Sequence, residues 1–210
     1  MTIIEDPKGT SPLVERVKAI LRHPAATWDV IEAEPATIKG LYAGYVAPLA
    51  AIGPVCHVIG QLVFGATGSL GLTYRPPIAQ VLGTALLGYV MTLAGVYVFA
   101  LIVEALAPQF GAEKNRLQAF KLAAYSGTAA WVAGVFGAFP PLALLSIVGV
   151  FYGFYLLYLG VPKLTKVTGD KAMIYTVCAV IAALGIGFLV SILVGVLLTP
   201  LVLLTGGYSL

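Results

Sequence analysis

The chain has 210 residues, 60% of them hydrophobic and 10% charged, with a formal net charge of +3 and a mean hydropathy of +0.97. Soluble domains carry roughly 25% charged residues, so a single water-soluble core of this length is excluded and lipid is the implied solvent. Two cysteines, Cys56 and Cys178, sit far apart inside apolar runs, which excludes a disulfide framework and a cysteine-based metal spacing.

Residues 1–39 are polar and mixed in charge, without the apolar core of a signal peptide, and read as a cytoplasmic segment. Within it Leu13, Val17, Ile20 and Leu21 recur at helical spacing, with Glu15, Arg16, Lys18 and Arg22 on other faces. This pattern predicts a short amphipathic helix. Such a helix either lies in the interface of an anionic leaflet or packs on the ends of a bundle. Pro24 interrupts it, and a second stretch with Trp28 and Ile31 follows.

Five apolar runs come next, at about 40–66, 78–107, 119–138, 142–160 and 172–204. A helix needs about 20 residues to cross a hydrocarbon core of roughly 30 Å. The runs are continuously apolar and do not alternate, so helices are expected and not a barrel. Arg75-Pro76-Pro77, Pro108 and Phe139-Pro140-Pro141 punctuate them, since proline lacks the amide donor and restricts the residue before it. The expected fold is all-α: a five-helix transmembrane bundle over residues 40–210, preceded by the amphipathic segment 1–39.

The cations orient it. With a cytoplasmic N-terminus, eleven of the twelve Lys and Arg residues fall on the inner side and Arg75 alone on the outer. The positive-inside rule then orients the bundle with its N-terminus in the cytoplasm and Thr205-Gly206-Gly207-Tyr208 outside.

Signals for catalysis are sparse. There is no phosphate-binding glycine loop, paired-histidine zinc motif or nucleophile elbow. No enzyme activity and no cofactor or metal site is expected. Three polar residues inside apolar runs form a candidate intramembrane site, because ionisable groups there are costly and default to a functional hypothesis. His57 and Gln61 stand one turn apart in the first run, beside the helix-bending Pro48 and Pro54, and Glu104 stands near the end of the second. For His57 the alternatives are a proton-linked or ligand site and a neutral imidazole bonded across helices. For Glu104 they are an interfacial ion pair and a proton or substrate site.

Gly40-x-x-x-Gly44 and Gly149-x-x-x-Gly153 match the spacing that lets helix backbones approach closely, within one chain or between two. Tyr152, Tyr155 and Tyr158, flanked by Phe151 and Phe154, suit an interfacial aromatic belt, with a lipid-headgroup or substrate stripe as the alternative.

Several segments in this order look familiar. They are Leu13-Val14-Glu15-Arg16-Val17-Lys18-Ala19-Ile20-Leu21 with Pro24, Trp28, Val30-Ile31 and Glu34-Pro35, then Tyr45-Val46-Ala47-Pro48-Leu49-Ala50-Ala51-Ile52-Gly53-Pro54. Phe110-Gly111, Ala124-Tyr125-Ser126 and Tyr155-Leu156-Leu157-Tyr158-Leu159-Gly160 leading to Lys171-Ala172 continue the series. Together they resemble the bacterial branch of the Yip (Ypt-interacting protein) membrane family. The resemblance implies a five-helix membrane domain with a cytosolic N-terminus. Its eukaryotic members associate with Rab-type GTPases and act in vesicle traffic and membrane shaping. This sequence departs from them: its cytosolic segment is short, and it lacks the acidic Gly-Pro motif before the first span and the Gly-Tyr pair of span three. Rab binding is therefore not carried over.

The function expected is that of a non-enzymatic scaffold or adaptor that binds a membrane protein or organises lipid. The alternative is a small-molecule or lipid transporter or channel using the polar residues of spans one and two. Its expected partners are membrane lipids, another membrane protein or a second copy of itself, and no nucleic acid.

Overall fold

In the computed structural model, which describes residues 12–67, 73–167 and 169–204, helices account for nearly every ordered element. Thr205 to Tyr208 lie outside the described residues. Helices α1 (Pro12–Arg22) and α2 (Pro24–Ala33) each open on a proline, which the first helical turn accepts because its amides are unpaired there. They are joined at His23 into a helical hairpin. Ile20, Trp28 and Ile31 are fully buried in the same core as the apolar helices, with Leu13, Val17 and Leu21 packed beside them. The amphipathic segment therefore packs on the bundle.

The first apolar stretch, Ile38–Phe64, is helical throughout but irregular: α3 (Ile38–Leu41), a wide π turn (Tyr42–Val46), α4 (Ala47–Ala50) and α5 (Ile52–Phe64). Pro48 and Pro54 supply no amide donor to it. Two tyrosines stitch this stretch to α6 (Ile78–Leu106): the Tyr89 hydroxyl donates to the Ala47 carbonyl at 3.1 Å, and the Tyr42 hydroxyl to Leu93 at 3.0 Å. A two-residue antiparallel pairing of Ala66–Thr67 with Thr73–Tyr74 lies between the two helices.

A 3-10 turn at Ala107–Phe110 closes α6, with Gly111 left-handed at φ +81°. Helix α7 (Arg116–Ser126) starts at Asn115, whose side chain accepts from the Gln118 amide at 3.1 Å. Every residue from Ala119 to Ser126 is buried, so α7 is enclosed on all sides. Then come α8 (Thr128–Ala133), 3-10 turns at Gly134–Ala138 and Pro140–Leu145, α9 (Ser146–Thr165) and α10 (Asp170–Leu204). Among the described residues, four stretches are long and apolar enough to cross a membrane: Ile38–Phe64, Ile78–Phe110, Pro140–Thr165 and Asp170–Thr199.

The run at 119–138 differs from the uninterrupted helix its composition suggests. It bends at Gly127 and tightens from Gly134. The Ser126 and Thr128 hydroxyls donate to carbonyls three residues back, at 3.3 and 2.7 Å, and so offer the backbone a local alternative. The Trp131 ring lies over Gly127, where a Cβ would stand 2.8 Å from it. Beyond the bend the chain presses on α5 backbone to backbone. A Cβ on Gly60 would meet the Gly137 carbonyl oxygen at 2.5 Å, and one on Gly134 would meet the Gly53 Cα at 2.8 Å.

Helix α9 carries a comparable glycine face. Cβ atoms at Gly149, Gly153 and Gly160 would meet the Ala133 Cβ at 2.3 Å, the Ser126 carbonyl at 3.0 Å and the Trp28 ring at 2.7 Å. Small residues let α8, α7 and α2 approach α9 this closely. The bundle has two distinguishable ends. At one, the Phe64 ring meets Phe139 at 5.2 Å. At the other, α2 touches Lys121 of α7, Lys163 of α9 and Lys166 just past α9.

Candidate functional site

The densest polar structure is at this second, capped end. A helix leaves its last four carbonyls unpaired, and at the end of α2 a buried lysine meets two of them, Ile31 and Glu32, and that of the following Glu34. Lys121 is 2% exposed, and its Nζ donates to the carbonyls of Ile31 at 2.6 Å, Glu34 at 2.6 Å and Glu32 at 3.3 Å. The Gln118 amide adds a bond to Glu32 at 3.3 Å. A cation at a helix C-terminus is favoured by the backbone dipoles there, and charge-assisted bonds are the stronger kind.

Three ion pairs flank this clamp: Arg16 with Glu34, Lys163 with Asp29, and Lys166 with Glu32. Their side chains are largely exposed, so they fix register more than they stabilise. Trp28 is the apolar wedge of the same contact. It sits edge-on to Tyr125 at 6.2 Å and fills the space that Gly160 leaves open.

The predicted intramembrane site divides in two. His57 and Gln61 hydrogen-bond to each other, Nε2 to Nε2 at 2.6 Å, on an exposed face of α5. Glu104 accepts instead from Arg116 Nε at 2.9 Å. Around Pro54 and Val58, α5 faces Ala85 and Tyr89 of α6. Glu104 stands some nineteen residues further along α6, about 28 Å at the helical rise.

The other predicted residues are placed as follows. The Gly40 amide donates to Thr37 Oγ1 at 3.0 Å, and a Cβ on Gly44 would meet open space. Tyr152 turns inward, its hydroxyl donating to the Leu21 carbonyl at 2.8 Å, while Tyr155 and Tyr158 face outward.

Sequence reasoning did not anticipate an apolar crevice of about 340 Å³ among α6, α7–α8, α9 and α10. Gly95 and Phe99, Gly127 and Trp131, Gly153 and Gly187 line it. Its two hydroxyls are already committed within their own helices, Thr92 to the Gly88 carbonyl and Ser126 to Ala123. A buried water needs two to four polar partners; both hydroxyl protons are spent and the lining is otherwise almost wholly apolar, so hydrocarbon suits the space better than water.

The Lys121 clamp was missed for a different reason. Its sequence signal, a cation two residues into an apolar run, is the one that drew attention to Glu104, but its acceptors are backbone carbonyls that no residue letter reveals.

The Yip1 domain pattern matches residues 18–192. The chain belongs to the Yip1-domain family. It is a membrane protein of that family, and the matched region contains α2, Trp28, Lys121, Lys163 and Lys166; Arg16 lies just before it. The proteins called Inner membrane protein YohC in Escherichia coli K12 and in E. coli O6:H1 are each 29% identical to it over 201 residues, covering 94% of this chain and 100% of theirs. No solved structure matches the chain.

Proposed function

We propose that this Yip1-domain protein is a non-enzymatic scaffold that crosses a bacterial inner membrane five times and binds another membrane protein or organises lipid. The observation that carries the scaffold reading is the locked cap, in which Lys121, Trp28 and three ion pairs hold α1–α2 against the bundle. A surface already ordered before binding spares a partner the entropy of ordering it.

Five crossings are supported by where the ends of the broken run lie. Lys121 near its start touches α2, as do Lys163 and Lys166 at the end of α9. Phe139 just past its far end touches Phe64 at the opposite end of the bundle. Residues 116–138 thus run from one end to the other, as the fifth crossing. The count of cations places the capped end in the cytoplasm and the C-terminus outside.

A transporter reading would need a polar path joining Glu104 to His57 and Gln61. Glu104 stands about 28 Å along α6 from Ala85, which faces α5 beside Pro54 and Val58, and the crevice at the intervening level is apolar. Native mass spectrometry of the full chain in nanodiscs of its own membrane lipid tests the scaffold. A stoichiometric membrane protein retained on the chain is the expected result. A monomer that carries no protein in repeated preparations overturns the protein-partner form of the reading.

A further inference from the structure

The geometry points to the crevice among α6, α7–α8, α9 and α10 as a binding site for one acyl chain of a membrane phospholipid. Its size, about 340 Å³, falls at the lower end of the roughly 300–1,000 Å³ typical of ligand pockets. A transmembrane helix from a partner, roughly 10–12 Å across with its side chains, is too thick for a space walled by four elements. Water is poorly held there, because the Thr92 and Ser126 hydroxyls spend their protons on carbonyls of their own helices and the lining is otherwise almost wholly apolar.

Depth identifies the phase that meets the opening. Leu157, on the crevice wall, precedes Lys163 by six residues, about 9 Å along α9. Val150, at the mouth, precedes it by thirteen residues, about 20 Å; the hydrocarbon core is about 30 Å thick, so the crevice lies across its middle, at the level of the inner parts of acyl chains.

The walls are closed and the mouth is open. A Cβ on Gly95 would already meet Ile186 at 3.1 Å, and one on Gly153 would meet the Ser126 carbonyl at 3.0 Å. A Cβ on Gly187 meets nothing within 4 Å. Gly187 and the exposed Val150 set the mouth between α10 and α9. Acyl-chain occupancy does not require a protein partner, so this site and the scaffold reading stand or fall separately.

The test uses the full chain in nanodiscs of phosphatidylethanolamine and phosphatidylglycerol, doped with a phosphatidylethanolamine that carries a diazirine in mid-chain. After photolysis, adducts are expected to concentrate several-fold on crevice residues such as Met91, Phe99, Trp131 and Phe154 over the outward-facing Ile181 and Phe188. Gly187→Phe should abolish that enrichment. Gly185→Phe, on the same helix and also facing open space, should preserve it. Equal labelling of crevice and outward residues in the unaltered protein overturns the site. So does enrichment at the crevice that persists undiminished in Gly187→Phe.

Discussion

Replacing Lys121 with methionine is expected to destabilise the protein in detergent by about 3 kcal/mol or more and to release the α1–α2 hairpin. Methionine keeps the buried stem but removes the three bonds to the end of α2, two of them at 2.6 Å. Each buried carbonyl left without a partner costs roughly 1–3 kcal/mol. Lys163→Met makes the contrast, since it breaks a pair in which Lys163 is 41% and Asp29 55% exposed. Pairs of that kind are worth about 0–1 kcal/mol. Thermal unfolding and limited trypsin cleavage at the exposed Arg22 read both variants. Equal behaviour of the two would remove the special role given to Lys121.

A similarly large loss is expected for Gly149→Leu. The first atom added would stand 2.3 Å from the Ala133 Cβ and 2.7 Å from the Ala129 carbonyl oxygen. Neither obstacle is the tip of a flexible side chain, so α8 and α9 must separate. Overpacking costs roughly 1–3 kcal/mol, and a fixed backbone places this variant near the upper figure. Gly44→Leu meets open space and should fall within about 0.5 kcal/mol of the parent. Thermal unfolding in detergent separates the two. If Gly149→Leu instead left stability intact and only dissociated an oligomer, its glycine would belong to a seam between chains.

Much of the fold was legible because hydropathy and proline act locally. The runs at 78–107 and 172–204 end close to α6 and α10, and Phe139-Pro140-Pro141 marks the short link before α9. The bend at Gly127 was not legible, because it depends on Trp131 folding back over a glycine and on α5 presenting Gly53 and Gly60 to the same segment. Of the candidate residues, Glu104 was read with an ion pair as one alternative, and its partner Arg116 stands only twelve residues away. The Lys121 clamp spans about ninety positions and ends on carbonyls, and the crevice is a space left between side chains. Neither kind of feature is written in residue identity.

The five-crossing bundle requires residues 116–138 to cross from the capped end to the end marked by Phe139. In a background of Cys56→Ser and Cys178→Ser, single cysteines at Lys114→Cys and Pro140→Cys report the sides directly through a membrane-impermeant maleimide. The five-crossing arrangement predicts that Pro140→Cys labels in intact cells and Lys114→Cys only after lysis. Labelling of both under the same condition would put the two ends of that segment on one side of the membrane and contradict the arrangement.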